Sequence, residues 1–337
     1  MTSNRNVTVY GAYGHTGRFV VAELLARGWT PILSGRDADK LNALDRRLDV
    51  RPASVDDASS LDRAFAGSAA VIHCAGPFAD TSAAVVEAAL RAEIPYLDPT
   101  AEGLVAMNTF EHYAARAGGV VILPAMGFYG GLGDLLATVA MDNDDAPADE
   151  VRVGFALDGW HPTRGTRITG QRTAGRRVFY SNNRLEVGSD PQEKTTWNFP
   201  APVGAQEVVP LSTVDIVTMS RHLRAREIRT FMNLAPIADL RNPETPAPVA
   251  ADERGRSSQS FLVEAVVRRG GKERRAVARG RDIYAVSAPI LVEAMERVLD
   301  GRTRAGHASG VVAAGAIFDA EDFLRALSPK HLEYEVA

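Results

Sequence analysis

The sequence predicts an α/β protein: an N-terminal doubly wound parallel sheet followed by a second, α+β domain with a mostly antiparallel sheet. Three observations predict it. Short apolar runs alternate with helical patterns over the first 125 residues, the mark of a parallel sheet covered on both faces. A glycine-rich segment, Gly11-Ala12-Tyr13-Gly14-His15-Thr16-Gly17, falls where the first strand meets the first helix. Beyond about Asp142 the apolar residues switch to period 2, as half-buried strands do.

Val7 to Tyr10 reads as a strand ending at Gly11. Thr16 to Arg27 reads as a helix, with Phe19, Val20, Leu24 and Leu25 at helical spacing. Pro31 to Ser34 is the second strand. Asp37 then caps a helix reaching about Leu48, with Leu41, Leu44 and Leu48 on one face. Val50 to Val55 is the third strand, followed by a short helix from Ser59 to Ala66. Ala69 to Cys74 is a buried strand and Thr81 to Ala92 a helix. Pro95 to Asp98, a helix from Gly103 to Ala117, and Val120 to Leu123 complete the six strands of a doubly wound sheet.

Asp142 to Asp149 is an acidic, proline-containing connector. Val151, Val153, Phe155 and Leu157 alternate with polar or small residues, and so do Phe261, Val263, Ala265 and Val267. The latter run into Gly270-Gly271, a two-residue hairpin turn, with a return strand near Arg274 to Ala278. Pro236 to Ser258 contains four prolines and reads as a mobile loop. Ala288 to Leu299 and Ala320 to Leu327 are late helices.

Composition narrows the function classes. The formal net charge of −4 argues against a nucleic-acid partner. Lysine occurs at Lys40, Lys194, Lys272 and Lys330 alone, which leaves few candidates for Schiff-base chemistry. Cys74 is the single cysteine, so no intrachain disulfide forms, as suits a reducing compartment. The start, Met1 to Asn6, lacks the apolar core of a signal peptide, and no run approaches about 18 apolar residues. The expectation is a cytoplasmic protein without membrane insertion.

The glycine segment predicts a dinucleotide-binding Rossmann domain. Gly11 permits the tight turn, Gly14 lets backbone approach a pyrophosphate, and Gly17 lets the helix pack close to the sheet. The helix N-terminus offers free N–H groups and partial positive charge, and Thr16 adds a hydroxyl. An NAD site usually has an acid about 20 residues past the glycines. Here the second strand ends Leu33-Ser34-Gly35-Arg36-Asp37. Ser34 and Arg36 suit the 2′-phosphate of NADPH, and Asp37 is read as the helix cap. Asp56 follows the third strand, where the adenine lies in such folds; a surface turn explains it equally well. Cys74-Ala75-Gly76-Pro77-Phe78 ends the fourth strand, where small residues would let a nicotinamide ribose lie against the backbone. Cys74 reads as a small buried residue.

These segments resemble the saccharopine dehydrogenase-like reductases, including the trans-acting enoyl reductase group. The resemblance is carried by residues 9–17, Leu33-Ser34-Gly35-Arg36, residues 71–78, 95–102 and 123–128, and more loosely by Gly165-Thr166 and residues 280–284. It implies a Rossmann domain over 1–134 and a substrate domain over 135–284, often with homodimer contacts. It also implies that helices from about 285 to 337 return to the Rossmann sheet. Family members act on carbonyl, imine or enoyl compounds, so the resemblance does not name the substrate.

The chemistry is then a matter of elimination. No tyrosine has Lys four residues on, which disfavours the short-chain dehydrogenase pair. No His-Glu-x-x-His, paired cysteines or Gly-x-Ser-x-Gly is present, which disfavours zinc and hydrolase chemistry. A hydride transfer needs positioning, a dry pocket and a proton donor. Residues 127–134 leave the sheet at its carboxyl edge; their glycines suit a hinge or a substrate contact, and Asp134 is expected to cap a helix from Leu135. Tyr129 is the expected proton donor, with His161 and Arg167 as secondary candidates. The expectation is an NADPH-dependent reductase of a C=C, C=O or C=N bond in a small or carrier-linked metabolite. An oxidative NADP-dependent dehydrogenase and a non-catalytic NADPH sensor are the rivals.

Overall fold

The computed structural model describes residues 4–142, 146–172, 175, 177–188, 193–305 and 309–336. Strands β1 (Asn6–Tyr10), β2 (Thr30–Gly35), β3 (Asp49–Pro52), β4 (Ala70–His73), β5 (Tyr96–Leu97) and β6 (Val121–Leu123) alternate with helices. Those are α1 (His15–Ala26), α2 (Ala38–Asn42), α3 (Ala58–Phe65), α4 (Phe78–Arg91) and α5 (Gly103–Tyr113). Next come α6 (Gly131–Met141), β7 (Ala148–Leu157), α7 (Arg164–Arg172), β8 (Arg177–Ser181), β9 (Arg184–Gly188), β10 (Thr195–Asn198) and β11 (Ala205–Pro210). Then follow α8 (Asp215–Ser220), β12 (Ala225–Asn233), α9 (Leu234–Arg241), β13 (Ser260–Arg269), β14 (Lys272–Arg281) and α10 (Ser287–Leu299). The chain finishes with β15 (Gly310–Val311), α11 (Ala314–Ile317), α12 (Ala320–Leu327) and β16 (Leu332–Val336).

The first sheet has the order β15-β6-β5-β4-β1-β2-β3, and its strand pairs are all parallel. Its strand order reverses between β1 and β4, and such folds take ligands at the carboxyl edge beside that point. Val7 and Val9 of β1 and Val20 and Leu24 of α1 are fully buried, as the apolar spacing requires. The second sheet runs β10-β11-β12-β7-β13-β14-β16, with β8 paired to β12 and β9. Of its pairs, β12–β7 is parallel and the others are antiparallel. Gly270 and Gly271, with φ of +54° and +79°, turn β13 into β14, since a two-residue hairpin needs positive φ at both positions.

One apolar cluster joins the two sheets, from Val7 and Val9 through Leu132 and Leu135 of α6 to Val263 and Ala265 of β13. Helix α10 packs on α1. Arg27 donates to Glu293 and Glu296 at 2.7 Å each, and Trp29 Nε1 donates to Glu296 at 2.8 Å. Burial makes such charges depend on one another for compensation.

Several expectations are corrected. The second helix stops at Asn42 rather than Leu48. Asp45 accepts the Arg47 N–H at 2.9 Å, a local side-chain bond that competes with the helical ladder. The sheet has a seventh strand, β15, contributed from the far end of the chain. The proline-rich stretch begins as helix α9, with Pro236 in its first turn, where no N–H is needed. Of the expected connector, residues 143–145 lie outside the described residues, and β7 already starts at Ala148. Helix α6 starts at Gly131, so Asp134 is not its cap. Asp134 is fully buried, accepts from His222 Nε2 at 2.6 Å and from Gly315 N at 3.1 Å. The glycines before it are packing positions: a Cβ on Gly130 would lie 2.3 Å from the Ala125 carbonyl oxygen, and one on Gly133 2.2 Å from Asp215 Oδ1.

Candidate active site

The site starts at the turn between β1 and α1. Gly11 has φ of +89°, and a Cβ there would lie 2.6 Å from the Ala75 backbone nitrogen. Gly14 N donates to Gly11 O at 2.9 Å, closing the turn. Gly14 then caps α1 without a side-chain hydrogen bond, and no acid sits in the first turn. The first N–H groups of α1 are thus available to an anion, with the helix dipole in support. Gly17 does not line the cavity but fits under the turn; a Cβ there would lie 2.2 Å from Gly11 O.

A cavity of about 1250 Å³ opens from this turn and runs to the second sheet. Gly11, Tyr13, Gly14, His15 and Thr16 line its first part, with Gly35, Arg36 and Asp56 at the tips of β2 and β3. Gly35 has φ of +152° and lies against the Tyr13 ring, where a Cβ would stand 3.0 Å from a ring carbon. Arg36 is exposed on the wall. Asp37 is engaged elsewhere: its carboxylate accepts the Lys40 N–H at 3.1 Å and pairs with Lys40 Nζ at 2.8 Å. Ser34 is corrected. It is fully buried, and its hydroxyl donates to Arg51 O at 2.8 Å, away from the cavity. Its carbonyl takes the Gly11 N–H at 2.8 Å, so Ser34 shapes the turn.

The opposite wall is the end of β4 and the start of α4: Cys74, Ala75, Gly76, Pro77 and Phe78. Burial, with Asp98 adding to it, pushes the Cys74 thiol above its usual range, which disfavours a thiolate there. Behind it, burial lowers His73 to about 3, so its ring is neutral and bonds Thr81 Oγ1 at 3.0 Å. Glu102, overlooked in the sequence, fills the N-terminus of α4. It accepts from Phe78 N at 2.8 Å, Ala79 N at 3.2 Å and Thr169 Oγ1 at 3.1 Å.

The far wall belongs to Tyr129, Trp160, Thr163, Thr166 and Tyr284. The Tyr129 ring packs against Phe128, Phe155 and Trp160. Its hydroxyl is buried with no hydrogen-bond partner. Burial, with Tyr284 and Asp215 nearby, raises Tyr129 well above 10. Tyr284 is the better-connected hydroxyl: Trp160 Nε1 donates to it at 3.0 Å, Thr163 N at 3.2 Å, and Thr166 Oγ1 lies at 2.9 Å. Two secondary candidates are also corrected. His161 is exposed and off the cavity, its Nδ1 3.3 Å from the Pro246 carbonyl oxygen. Arg167 borders the cavity, but its guanidinium donates to the Leu240, Asn242 and Thr245 carbonyls at 3.4, 3.1 and 2.6 Å. It holds a loop.

Residues 11–97 match a family model described as NAD(P)H-binding. No curated protein matches the chain. The structure resembles that of apo saccharopine dehydrogenase (L-Glu forming) from Saccharomyces cerevisiae. The TM-score is 0.67 and the identity 13%, over 99% of this chain and 100% of that one. It also resembles the DAP dehydrogenase of C. glutamicum in complex with DAP, at a TM-score of 0.52 and 14% identity over 97% of each chain. At these identities the likeness is one of fold. The chain carries an NAD(P)H-binding Rossmann domain and has the saccharopine dehydrogenase fold.

Proposed function

We propose that this protein is an NADPH-dependent reductase of a C=C, C=O or C=N bond in a small or carrier-linked metabolite. One observation carries the reading. A single cavity joins the uncapped start of α1 to a wall of hydroxyl and indole groups on the second-sheet side. The residues present fit a dinucleotide: the start of α1 carries no side-chain cap, and Gly14 lines the cavity there without a Cβ. Arg36 suits a 2′-phosphate because the neighbouring acid, Asp37, is already paired. When bound, NADPH supplies the hydride. The chain's own residues orient it, with the wall from Cys74 to Phe78 on one side and Trp160 and Tyr284 on the other. The apolar share of that wall, from Phe78, Phe128, Trp160 and Met232, limits water at the reacting bond.

The test is a titration of NADPH and NADH by fluorescence, followed by NADPH oxidation against panels of enoyl, carbonyl and imine compounds. Tighter NADPH binding with turnover on one panel is expected. Stoichiometric NADPH binding with no turnover on any panel would instead favour a sensor.

A further inference from the structure

We propose that Tyr284 is the general acid of this site, its phenolate held by the indole N–H of Trp160, the backbone N–H of Thr163 and the hydroxyl of Thr166. The proposal rests on the reductase reading above. Three hydrogen bonds converge on one phenolic oxygen at 2.9–3.2 Å. Trp160 Nε1 and Thr163 N can only donate, so the oxygen accepts from both. Its own proton is therefore free to point to Thr166 or into the cavity that Tyr284 lines. An oxygen with two fixed N–H donors is prepared for negative charge, as an oxyanion hole is.

Position agrees with this role. The Tyr284 ring stands edge-on to His15 of the glycine turn, with centroids 5.2 Å apart. Tyr284 thus lies where the cofactor turn meets the second-sheet wall. Its backbone is fixed as well: Asp282 accepts the N–H groups of Tyr284 and Ala285 at 3.0 Å each. Tyr129 offers no such arrangement, because its buried oxygen has no donor to stabilise a phenolate.

The step balances simply. Hydride adds to one atom of the substrate double bond, and the π pair moves to the other atom. The Tyr284 O–H bond breaks as its proton bonds to that atom. The phenolate remains between Trp160, Thr163 and Thr166 and regains a proton from solvent through the cavity. The titratable and charged groups around it are His15 on the glycine turn, Tyr129, Asp282 on its own segment and Arg164 at the cavity wall. Burial raises Tyr284 above its usual 10, while the Thr166, Trp160 and Thr163 bonds oppose that rise. The acid therefore stays protonated through neutral pH.

The test places fluorotyrosine at position 284 in the full chain and follows its ¹⁹F titration in the NADPH complex. Trp160→Phe, which keeps a ring and removes the N–H, should raise the midpoint, and the protein should remain folded by circular dichroism. An unmoved midpoint would overturn the proposal, whether or not a substrate has been found. With a substrate from the panels, Tyr284→Phe should lower kcat by about 10²–10⁴-fold at unchanged NADPH affinity. Fluorotyrosine should shift the alkaline fall of kcat to lower pH. A normal kcat in Tyr284→Phe, or an alkaline limb that ignores fluorination, would also overturn it. Absence of turnover on every panel, with the midpoint moved, would count against the reductase reading alone.

Discussion

Glu102 accepts a hydrogen bond from the Phe78 N–H at 2.8 Å, and with it closes the N-terminus of α4 at the cavity wall. The same carboxylate takes Ala79 N and the Thr169 hydroxyl of α7. One side chain, 4% exposed, therefore joins a helix of the first sheet to a helix near the second. Glu102→Ala leaves those N–H groups without their acceptor and should cost about 1–3 kcal/mol. Urea unfolding measures it; a loss within error would show that solvent replaces the carboxylate freely.

The glycines at the turn separate folding from binding. Gly11→Ala puts a Cβ 2.6 Å from backbone at a φ of +89°, so it should destabilise the fold itself. At Gly14 the nearest atom to an added Cβ is Gly11 O at 3.1 Å, a milder contact. Gly14→Val should therefore leave a folded chain that no longer binds NADPH. Thermal melting and NADPH titration of both variants decide this; intact affinity in Gly14→Val would mean that the glycines serve the turn alone.

In the proposed NADPH site the 2′-phosphate contact falls to Arg36, because Ser34 is turned inward to Arg51. Removing one charge-assisted contact is worth roughly ten- to a hundredfold in affinity. Arg36→Ala should weaken NADPH by that order and leave NADH nearly unchanged. Calorimetry of both nucleotides tests it, and equal affinities in the unmutated protein would remove the basis for NADPH.

What was legible in the sequence was local. The turn from Gly11 to Gly17 and the Asp37 cap depend on residues within one strand–helix unit, where spacing fixes the geometry. Ser34 was misread because its direction depends on register: it pairs with Arg51 of β3, whose carbonyl takes the hydroxyl. Trp160 and Tyr284 were not legible as a pair, since 124 residues separate them and no periodicity joins them. The looser family match at Gly165-Thr166 and at residues 280–284 was the one signal pointing there. Strand β15 is two residues long and pairs with β6 from the far end of the chain. Asp134 reads as a cap in the sequence because its partner, His222, lies 88 residues away.

Tyr129 carries a polar atom where the packing is aromatic. Its hydroxyl is buried without a partner, amid Phe128, Phe155 and Trp160. Tyr129→Phe keeps the ring contacts and removes the orphaned group. The fold should be unchanged or stabilised by up to about 1 kcal/mol. A clear loss of stability in thermal melting would reveal a partner for that hydroxyl and return it to the chemistry.

Asp215 sets the sign of one pH effect. It is fully buried at the start of α8. Burial raises its pKa from 3.8 to about 7, with Asp134 adding to the rise and Thr213 and Gly130 opposing it. A carboxyl whose folded pKa is raised stabilises the fold fully below its unfolded value, and that contribution is lost as pH rises through the folded value. Between about pH 4 and 7 the unfolded chain ionises Asp215 while the folded chain keeps the proton. Relative to Asp215→Asn, which cannot ionise, the unmutated protein should lose stability over that window, at up to about 1.4 kcal/mol per pH unit. Above about pH 7 the difference should level off. Taking the difference between the two proteins cancels the other titrating groups, among them Asp98, which burial raises to about 6. Urea unfolding of both across that range is the measurement. A difference that stays flat, or that grows in favour of the unmutated protein as pH rises, would mean that Asp215 folds as an ordinary carboxylate.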